Sequence, residues 1–345
     1  MSRSSSSTSS SEAAGAWRLF RRGLVFSLPF CLYALFIFFA DPFNFLGAPS
    51  PVSQEVKLQT AFQLNPCLWK MSEFKKQPHE NIMLGDSRMM ALRPERVKEI
   101  TGEDFYNFAY GGASLQEIAD TFWFATRHAQ LKKVYIGLNL TVYNDYNYTE
   151  RTKAFANVEK NPALYFVNKT VLQSALYGVY SQLAHADLKI GVPTVDREAF
   201  WREQLFHGNE AYYRNYVYPT KYKQELEKIA RHCREHDIKL SFIIFPSHLD
   251  ALRLIGQYHL EPANDAFRKD LAALAPVYDF DYENEITSRK ENFNDPNHYV
   301  KAIGDQLIRE VWLDQPRYAR KYQANGGEQP KDATTDNTQR AAAAF

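Results

Sequence analysis

The sequence predicts an α/β fold, a parallel sheet covered by helices on both faces and carried behind one amino-terminal membrane helix. Three observations predict it. Short apolar runs alternate with longer amphipathic segments along most of the 345-residue chain, the pattern of strands buried on both faces and joined by crossover helices. One of these runs, Asn81-Ile82-Met83-Leu84, stops abruptly at Gly85-Asp86-Ser87-Arg88, and a helix-compatible segment follows, with Pro94 at a first-turn position and Val97 and Ile100 at helical spacing. Ahead of them all, Gly23 to Ala40 holds no charged residue and is dominated by Leu and Phe, about the ~20-residue length that spans a bilayer.

From the amino end, residues 2 to 15 are mostly Ser, Ala and Gly with almost nothing to bury, so residues 1–18 read as a disordered cytoplasmic tail. Residues 19–40 read as a transmembrane anchor, Leu19 and Phe20 extending the apolar stretch beyond Arg21 and Arg22. Arg18, Arg21 and Arg22 precede the run, whereas the first charge after it is Asp41. The positive-inside tendency therefore puts the tail in the cytoplasm and everything after about residue 41 outside, in the periplasm or the extracellular space. A cleaved signal peptide is the competing reading, left open by small residues at Ala40 and Ala48. The length of the run and the lack of a clean small-x-small site favour an uncleaved anchor. Residues 41–78, with Pro42, Pro49 and Pro51, read as a linker carrying a short amphipathic piece from Val56 to Leu64.

Residues 79–322 read as the domain. Its strands are expected at Ile82–Leu84, Phe105–Phe108, Val134–Leu138, Leu240–Phe245 and Val277–Phe280, with helices in the gaps. The helix after the second strand opens with a capping box, Ser114-Leu115-Gln116-Glu117, and buries Ile118, Phe122 and Ala125. Residues 146–216, rich in Tyr, Phe and Asn, interrupt the alternation; a structureless loop of that length is unusual, so they read as an inserted helical lobe able to roof a site. Residues 323–345 turn polar and low in complexity and are expected to be disordered. Of three cysteines, Cys31 lies in the membrane segment. Cys67 and Cys233 can pair in an oxidising compartment, but Cys233 falls on the apolar stripe Tyr222, Leu226, Ile229, Cys233, where a buried free thiol is the commoner state. A net charge of +1 gives no electrostatic case for a nucleic-acid partner.

The turn at Gly85-Asp86-Ser87 puts a serine hydroxyl at the carboxyl end of a buried parallel strand, where open α/β sheets build their sites. It also lies beside helix-start amides that can stabilise a developing oxyanion. Alone, Gly-Asp-Ser is an ordinary turn. Three further stretches follow in chain order: Asn107-Phe108-Ala109-Tyr110-Gly111-Gly112-Ala113-Ser114 after the second strand, Gly137-Leu138-Asn139 at the end of the third, and Asp295-Pro296-Asn297-His298 before the last helix. With these four blocks the chain resembles the SGNH hydrolase superfamily, also called GDSL-type esterases, over about residues 80 to 312. The resemblance implies a flavodoxin-like parallel sheet sandwiched by helices. It implies Ser87 as nucleophile and, with Gly112 and Asn139, as oxyanion donor, His298 as base and Asp295 as its orienter. The family often has Asp after the block-three Asn, where this chain has Leu140.

The residues suit these roles. A serine hydroxyl is a poor nucleophile until a base removes its proton, and a neutral imidazole is the usual base near neutral pH. Asp295, three residues before His298, can reach the other ring nitrogen and fix the tautomer. Gly112 lets the backbone approach closely, and the Asn139 amide can point an N–H inward from the strand end. Pro246-Ser247-His248 ends the fourth strand on the functional edge, which makes His248 a substrate-contact candidate and a rival base. His232 and His236 are four apart on one helix, but no glutamate follows His232 as in the zinc-protease motif, and a solvated helix face is the better reading. No metal and no cofactor is expected.

Anchored members of this layout resemble envelope proteins that work beside membrane-bound O-acyltransferases. That resemblance implies an esterase or O-acyltransferase moving acetyl or similar groups on envelope polysaccharide or acyl-sugar, with such an acyltransferase as partner. Transfer and hydrolysis share their first half-reaction, so the sequence leaves both open. The alternative class is a catalytically inactive domain that binds polysaccharide or serves as the scaffold of an acylation complex; the complete set of blocks argues against it.

Overall fold

The structure, a computed structural model, describes residues 8–186, 188 and 196–322. The carboxyl-terminal stretch 323–345, expected to be disordered, lies outside the described residues. The chain divides into two compact units, one made of residues up to Ser72 with Phe155–Val192, the other of Glu73–Ala154 and the chain from Pro193 onward. The stretch read as one inserted lobe, 146–216, is thus shared between them.

The second unit is an α/β sandwich. Its strands β1 (Asn81–Leu84), β2 (Tyr106–Asn107), β3 (Lys133–Leu138), β4 (Lys239–Ile244) and β5 (Val277–Asp279) run parallel in the order β2-β1-β3-β4-β5. This is the flavodoxin-like order, with its switch point between β1 and β3. Ile82 pairs with Tyr106 on one side and Val134 on the other. The five expected strands are all present, each within a residue or two of its expected bounds. Three short strands were not expected: β6 (Phe293–Asp295) and β7 (His298–Tyr299), which form an antiparallel pair, and β8 (Arg320–Tyr322), which adds antiparallel to the edge of β5.

The buried centres of the strands, Ile82–Leu84 and Phe242–Ile244 among them, are apolar because both faces are covered. On one face Met83, Met89, Val97, Phe105, Ile243 and Phe280 pack with Leu307 and Ile308 of the last helix, Lys301–Trp312. The helices Leu115–His128 and Thr220–Glu235 pack on each other and on the sheet, burying Ile118, Phe122 and Ala125 from the first and Tyr222, Leu226, Ile229 and Cys233 from the second. Each large side chain so buried contributes about 1.5–3 kcal/mol. Cys67 and Cys233 are both buried, and burial pushes the Cys233 thiol up to about 12.

The expected capping box forms only in half. Ser114 Oγ accepts from the Glu117 backbone N–H at 3.4 Å, but the Glu117 carboxylate, completely buried, turns to Arg151 instead of back to Ser114.

In the first unit the amino-terminal helix runs Thr8–Ala40, and from Gly15 onward it is long and apolar enough to cross a membrane. It begins inside the polar stretch expected to be disordered; Ala, Ser and Glu extend an already nucleated helix at little cost. The stretch read as a linker is ordered in this unit around Asp41, whose carboxylate accepts from Leu46 N, Gly47 N and the Tyr165 hydroxyl. Lys57, buried, donates to the Asp41 carbonyl and to Asn44 Oδ1, both at 2.8 Å. Prolines at 42, 49 and 51 break regular elements there without loosening the chain, because these long-range polar partners hold the turns.

Candidate active site

At the carboxyl end of β1 the chain turns through Gly85, whose φ of 155° and close approach to β3 leave no room for a side chain: a Cβ would stand 2.9 Å from the Gly137 carbonyl oxygen and 2.8 Å from Met89 Cβ. Asp86 then caps the short helix Ser87–Met90, accepting from Arg88 N at 2.9 Å. The result is a partly exposed Ser87 at a helix start, with apolar side chains packed beneath it.

His298 arrives from the far end of the chain on the β6–β7 hairpin, in which Asp295 and His298 face each other as a cross-strand pair. Ser87 Oγ lies 2.6 Å from His298 Nε2, and His298 Nδ1 lies 2.7 and 2.9 Å from the two oxygens of the buried Asp295 carboxylate. An ionised carboxylate only accepts, so the imidazole carries its proton on Nδ1 and leaves Nε2 to accept from the serine hydroxyl. Asp295 also accepts from Asn297 N at 2.9 Å, which closes the turn.

Further contacts lock the two segments together. Arg88 Nε donates to the Asn297 carbonyl at 3.2 Å and its Nη2 to Asn297 Oδ1 at 3.3 Å, while the Tyr299 hydroxyl donates to the Arg88 carbonyl at 2.6 Å. Asn209 Nδ2 donates to the same Asn297 oxygen at 3.0 Å. The helix Arg197–Glu203 braces the hairpin from outside: Arg197 Nη2 donates to the carbonyls of Phe293 and Lys290 at 2.7 and 3.0 Å. Arg88, Asn297, Tyr299 and Arg197 were not singled out in the sequence. The first three lie within one residue of Ser87 or His298, the only signal they gave.

The second block is stapled to the first. Phe108 N donates to the Met83 carbonyl and Tyr110 N to that of Gly85, and the Asn107 side chain donates to the carbonyls of Met89 and Leu92 at 2.9 and 2.8 Å. Gly112 has a φ of 61°, in the left-handed region that favours glycine. Arg151 Nη1 donates to the Gly111 carbonyl at 2.9 Å. Burial pushes the Glu117 carboxyl up, but the hydrogen bonds and charge of Arg151 outweigh it and hold the group below its ordinary value.

Asn139 stands just past the end of β3, buried, and its Nδ2 donates to Asp86 Oδ2 at 2.9 Å; its Oδ1 accepts from Val142 N at 3.1 Å and from the Thr141 hydroxyl. The amide nitrogen carries a second N–H, and the bond to Asp86 anchors it beside the Ser87 turn. His248 follows the end of β4, on the edge of the sheet where it was expected. It is buried, caps the helix Leu249–Gln257 by accepting from Asp250 N at 3.1 Å, and sits edge-on to Trp201 and Phe293. Burial lowers its pKa from the ordinary imidazole value. Its backbone N–H donates to the Pro296 carbonyl at 2.8 Å, which props the hairpin. His232 and His236 stack on each other, ring centroids 4.0 Å apart, with His232 against Phe122 and Trp123.

No family model matches the chain, and neither does any curated protein sequence. Among solved structures it is similar to a candidate lipolytic protein of the G-D-S-L family from Desulfitobacterium hafniense, at 10% identity over 69% of this chain and 99% of that one, with a TM-score of 0.34. It is likewise similar to a candidate acylhydrolase from Bacteroides fragilis, at 9% identity over 70% and 91% with a TM-score of 0.35. A GDSL-like lipase from Bacteroides thetaiotaomicron matches at 9% identity over 71% and 95%, also with a TM-score of 0.35.

Proposed function

We propose that this protein is an SGNH-type serine esterase or O-acyltransferase, anchored by its amino-terminal helix and acting outside the cytoplasm on acyl groups of envelope polysaccharide. The observation that carries the reading is the unbroken chain from Ser87 Oγ through His298 to Asp295. In the first half-reaction Ser87 Oγ attacks the acyl carbonyl carbon as its proton passes to His298 Nε2, and Asp295 stabilises the imidazolium that forms. The oxyanion develops beside the N–H groups of Ser87, Gly112 and Asn139, where loss of one donor typically costs ~10²- to 10³-fold in rate. The intermediate collapses, the C–O bond to the leaving alcohol breaks, and His298 returns the proton to that alcohol. Water or a sugar hydroxyl then takes the acyl group from Ser87 by the same steps in reverse.

The membrane reading is supported by the apolar helix and by Arg18, Arg21 and Arg22 ahead of it. Outside the cytoplasm acyl-CoA is not at hand, so a transferase there needs its donor handed across by a membrane partner, whereas an esterase needs none. A membrane-bound O-acyltransferase is the partner that fits.

The test is covalent labelling. A serine-directed phosphonate is expected to label the full-length protein once and to leave Ser87→Ala unlabelled, with circular dichroism of the two proteins alike. Equal labelling of both, or none of the parent, would defeat the assignment.

A further inference from the structure

The helix Lys169–Ala184 of the first unit is inverted for an element facing water. Its inward side is made of small residues, Ser174, Ala175, Gly178 and Ser181, with Val171. Its outward side carries Leu176, Tyr177, Tyr180 and Leu183, exposed by 52%, 38%, 58% and 76%. Helices of soluble proteins turn their large apolar side chains inward and their charges outward; small residues at the helix–helix contact, with large apolar ones outside, are the habit of helices packed in lipid. Between Lys169 and His185 the helix has no charged residue.

The amino-terminal helix belongs to the same unit, and the two helices are joined. They pack together, and the Tyr33 hydroxyl donates to the carbonyl of Phe166, three residues before Lys169. Tyr33 stands inside the apolar span, seven residues before its end at Ala40, which at 1.5 Å per residue is about 10 Å inward from that end. Interfacial helices bury their apolar faces about 5–10 Å below the headgroups. Val167, 73% exposed next to that carbonyl, continues the apolar surface, and Tyr177 and Tyr180 suit the headgroup boundary, where tyrosine is enriched. Lys169, in the first turn, has a stem long enough to lift its ammonium to the headgroups.

We propose that the helix Lys169–Ala184 lies in the membrane interface of the outer leaflet, its Leu176, Tyr180 and Leu183 face against phospholipid acyl chains. This rests on the reading of the amino-terminal helix as a membrane anchor. Lipid is the occupant because the face continues the surface of the span it packs on. The first unit then holds the membrane through two elements.

Spin labels at Leu176→Cys, Tyr180→Cys and Leu183→Cys, each in full-length Cys31→Ser protein, test this in discs of phosphatidylcholine and phosphatidylglycerol. Phe30→Cys in the span serves as the lipid reference and Lys228→Cys in the second unit as the water reference; Cys67 and Cys233 are buried and escape the label. The ratio of accessibility to oxygen over a water-soluble nickel chelate is expected to be severalfold higher at the three positions than at Lys228→Cys. A water-like ratio at all three, with Phe30→Cys lipid-like, overturns the interfacial helix and spares the anchor. A water-like ratio at Phe30→Cys as well overturns both. Low accessibility to both reagents at the three positions means that protein covers the face, and overturns the lipid assignment.

Discussion

The guanidinium of Arg151 donates to the carbonyl oxygen of Gly111 at 2.9 Å, while the buried carboxylate of Glu117 grips the same guanidinium at 2.7 and 3.0 Å. In a trans peptide the carbonyl and the following N–H point opposite ways. The bond that holds Gly111 O therefore also fixes where Gly112 N–H points, and the proposed oxyanion donor is aimed by an ion pair set outside the triad.

Removing this pair as a unit, with Glu117→Gln and Arg151→Met together, avoids leaving a buried charge alone, which would cost about 3–5 kcal/mol. The double variant is expected to fold and to lose about tenfold in kcat on an activated ester, short of the ~10²-fold that loss of a donor itself costs. KM should change little. A double variant as fast as the parent would show that Gly112 N–H does not depend on the pair.

The same pair sets a pH dependence. Glu117 is held below its ordinary value of 4.5 in the folded protein, so its contribution to stability is present above that value and is lost as pH falls through the lower folded value. Urea unfolding midpoints should therefore fall more steeply with acidification below about pH 4.5 in the parent than in Glu117→Gln. Parallel slopes would mean that the pair contributes no such stability.

Asp295→Asn tests the orienting role. An asparagine can offer its N–H₂ to His298 Nδ1, which moves the ring proton to Nε2 and leaves nothing to accept from Ser87. By analogy with serine-histidine-aspartate triads, kcat is expected to drop about 10⁴-fold with the hairpin intact. A loss of less than tenfold would mean that Asp295 only closes the turn through Asn297 N.

The five parallel strands and the two helices of known stripe were legible because each is a local apolar pattern, and the order of the four chemical blocks was legible because residue types and spacing alone carry it. What was not legible depends on distant partners. β8 is Arg-Lys-Tyr, half-exposed at an edge, with no alternation to mark it. The hairpin that carries Asp295 and His298 pairs only a few residues, and its register comes from the Asp295 turn and from Arg197, far off in sequence. Residues 41–78 read as a linker because their prolines are visible in sequence and the hydrogen bonds of Asp41 to Tyr165 and to the nearby turn are not. His248 sat at the correct edge of the sheet; that its ring would cap the next helix at Asp250 N and lie edge-on to Trp201 and Phe293 was not visible there.

In the proposed reaction, whether an acyl group on Ser87 would go to water or to a sugar depends on what holds the acceptor. Exposed aromatic rings stand on two segments that are hydrogen-bonded to neighbours of Ser87 and His298. Tyr146 and Tyr148, 51% and 53% exposed, follow Asn139 on a loop that Asn147 ties back to the Thr141 carbonyl. Phe206, 56% exposed, stands three residues before Asn209, which bonds Asn297 next to His298. Rings of this kind stack on sugar faces, and an acceptor held there would reach the acyl-serine before water does. With an acyl donor and an envelope oligosaccharide, the purified protein is expected to give acylated sugar over free acid by mass spectrometry. Tyr146→Ala, Tyr148→Ala and Phe206→Ala combined should shift that partition toward free acid while phosphonate labelling of Ser87 stays at the parental rate, because no ring of the three touches the triad. Equal yields of free acid with and without oligosaccharide, across several acceptors, would rule out transfer and leave a carbohydrate esterase as the account of the site.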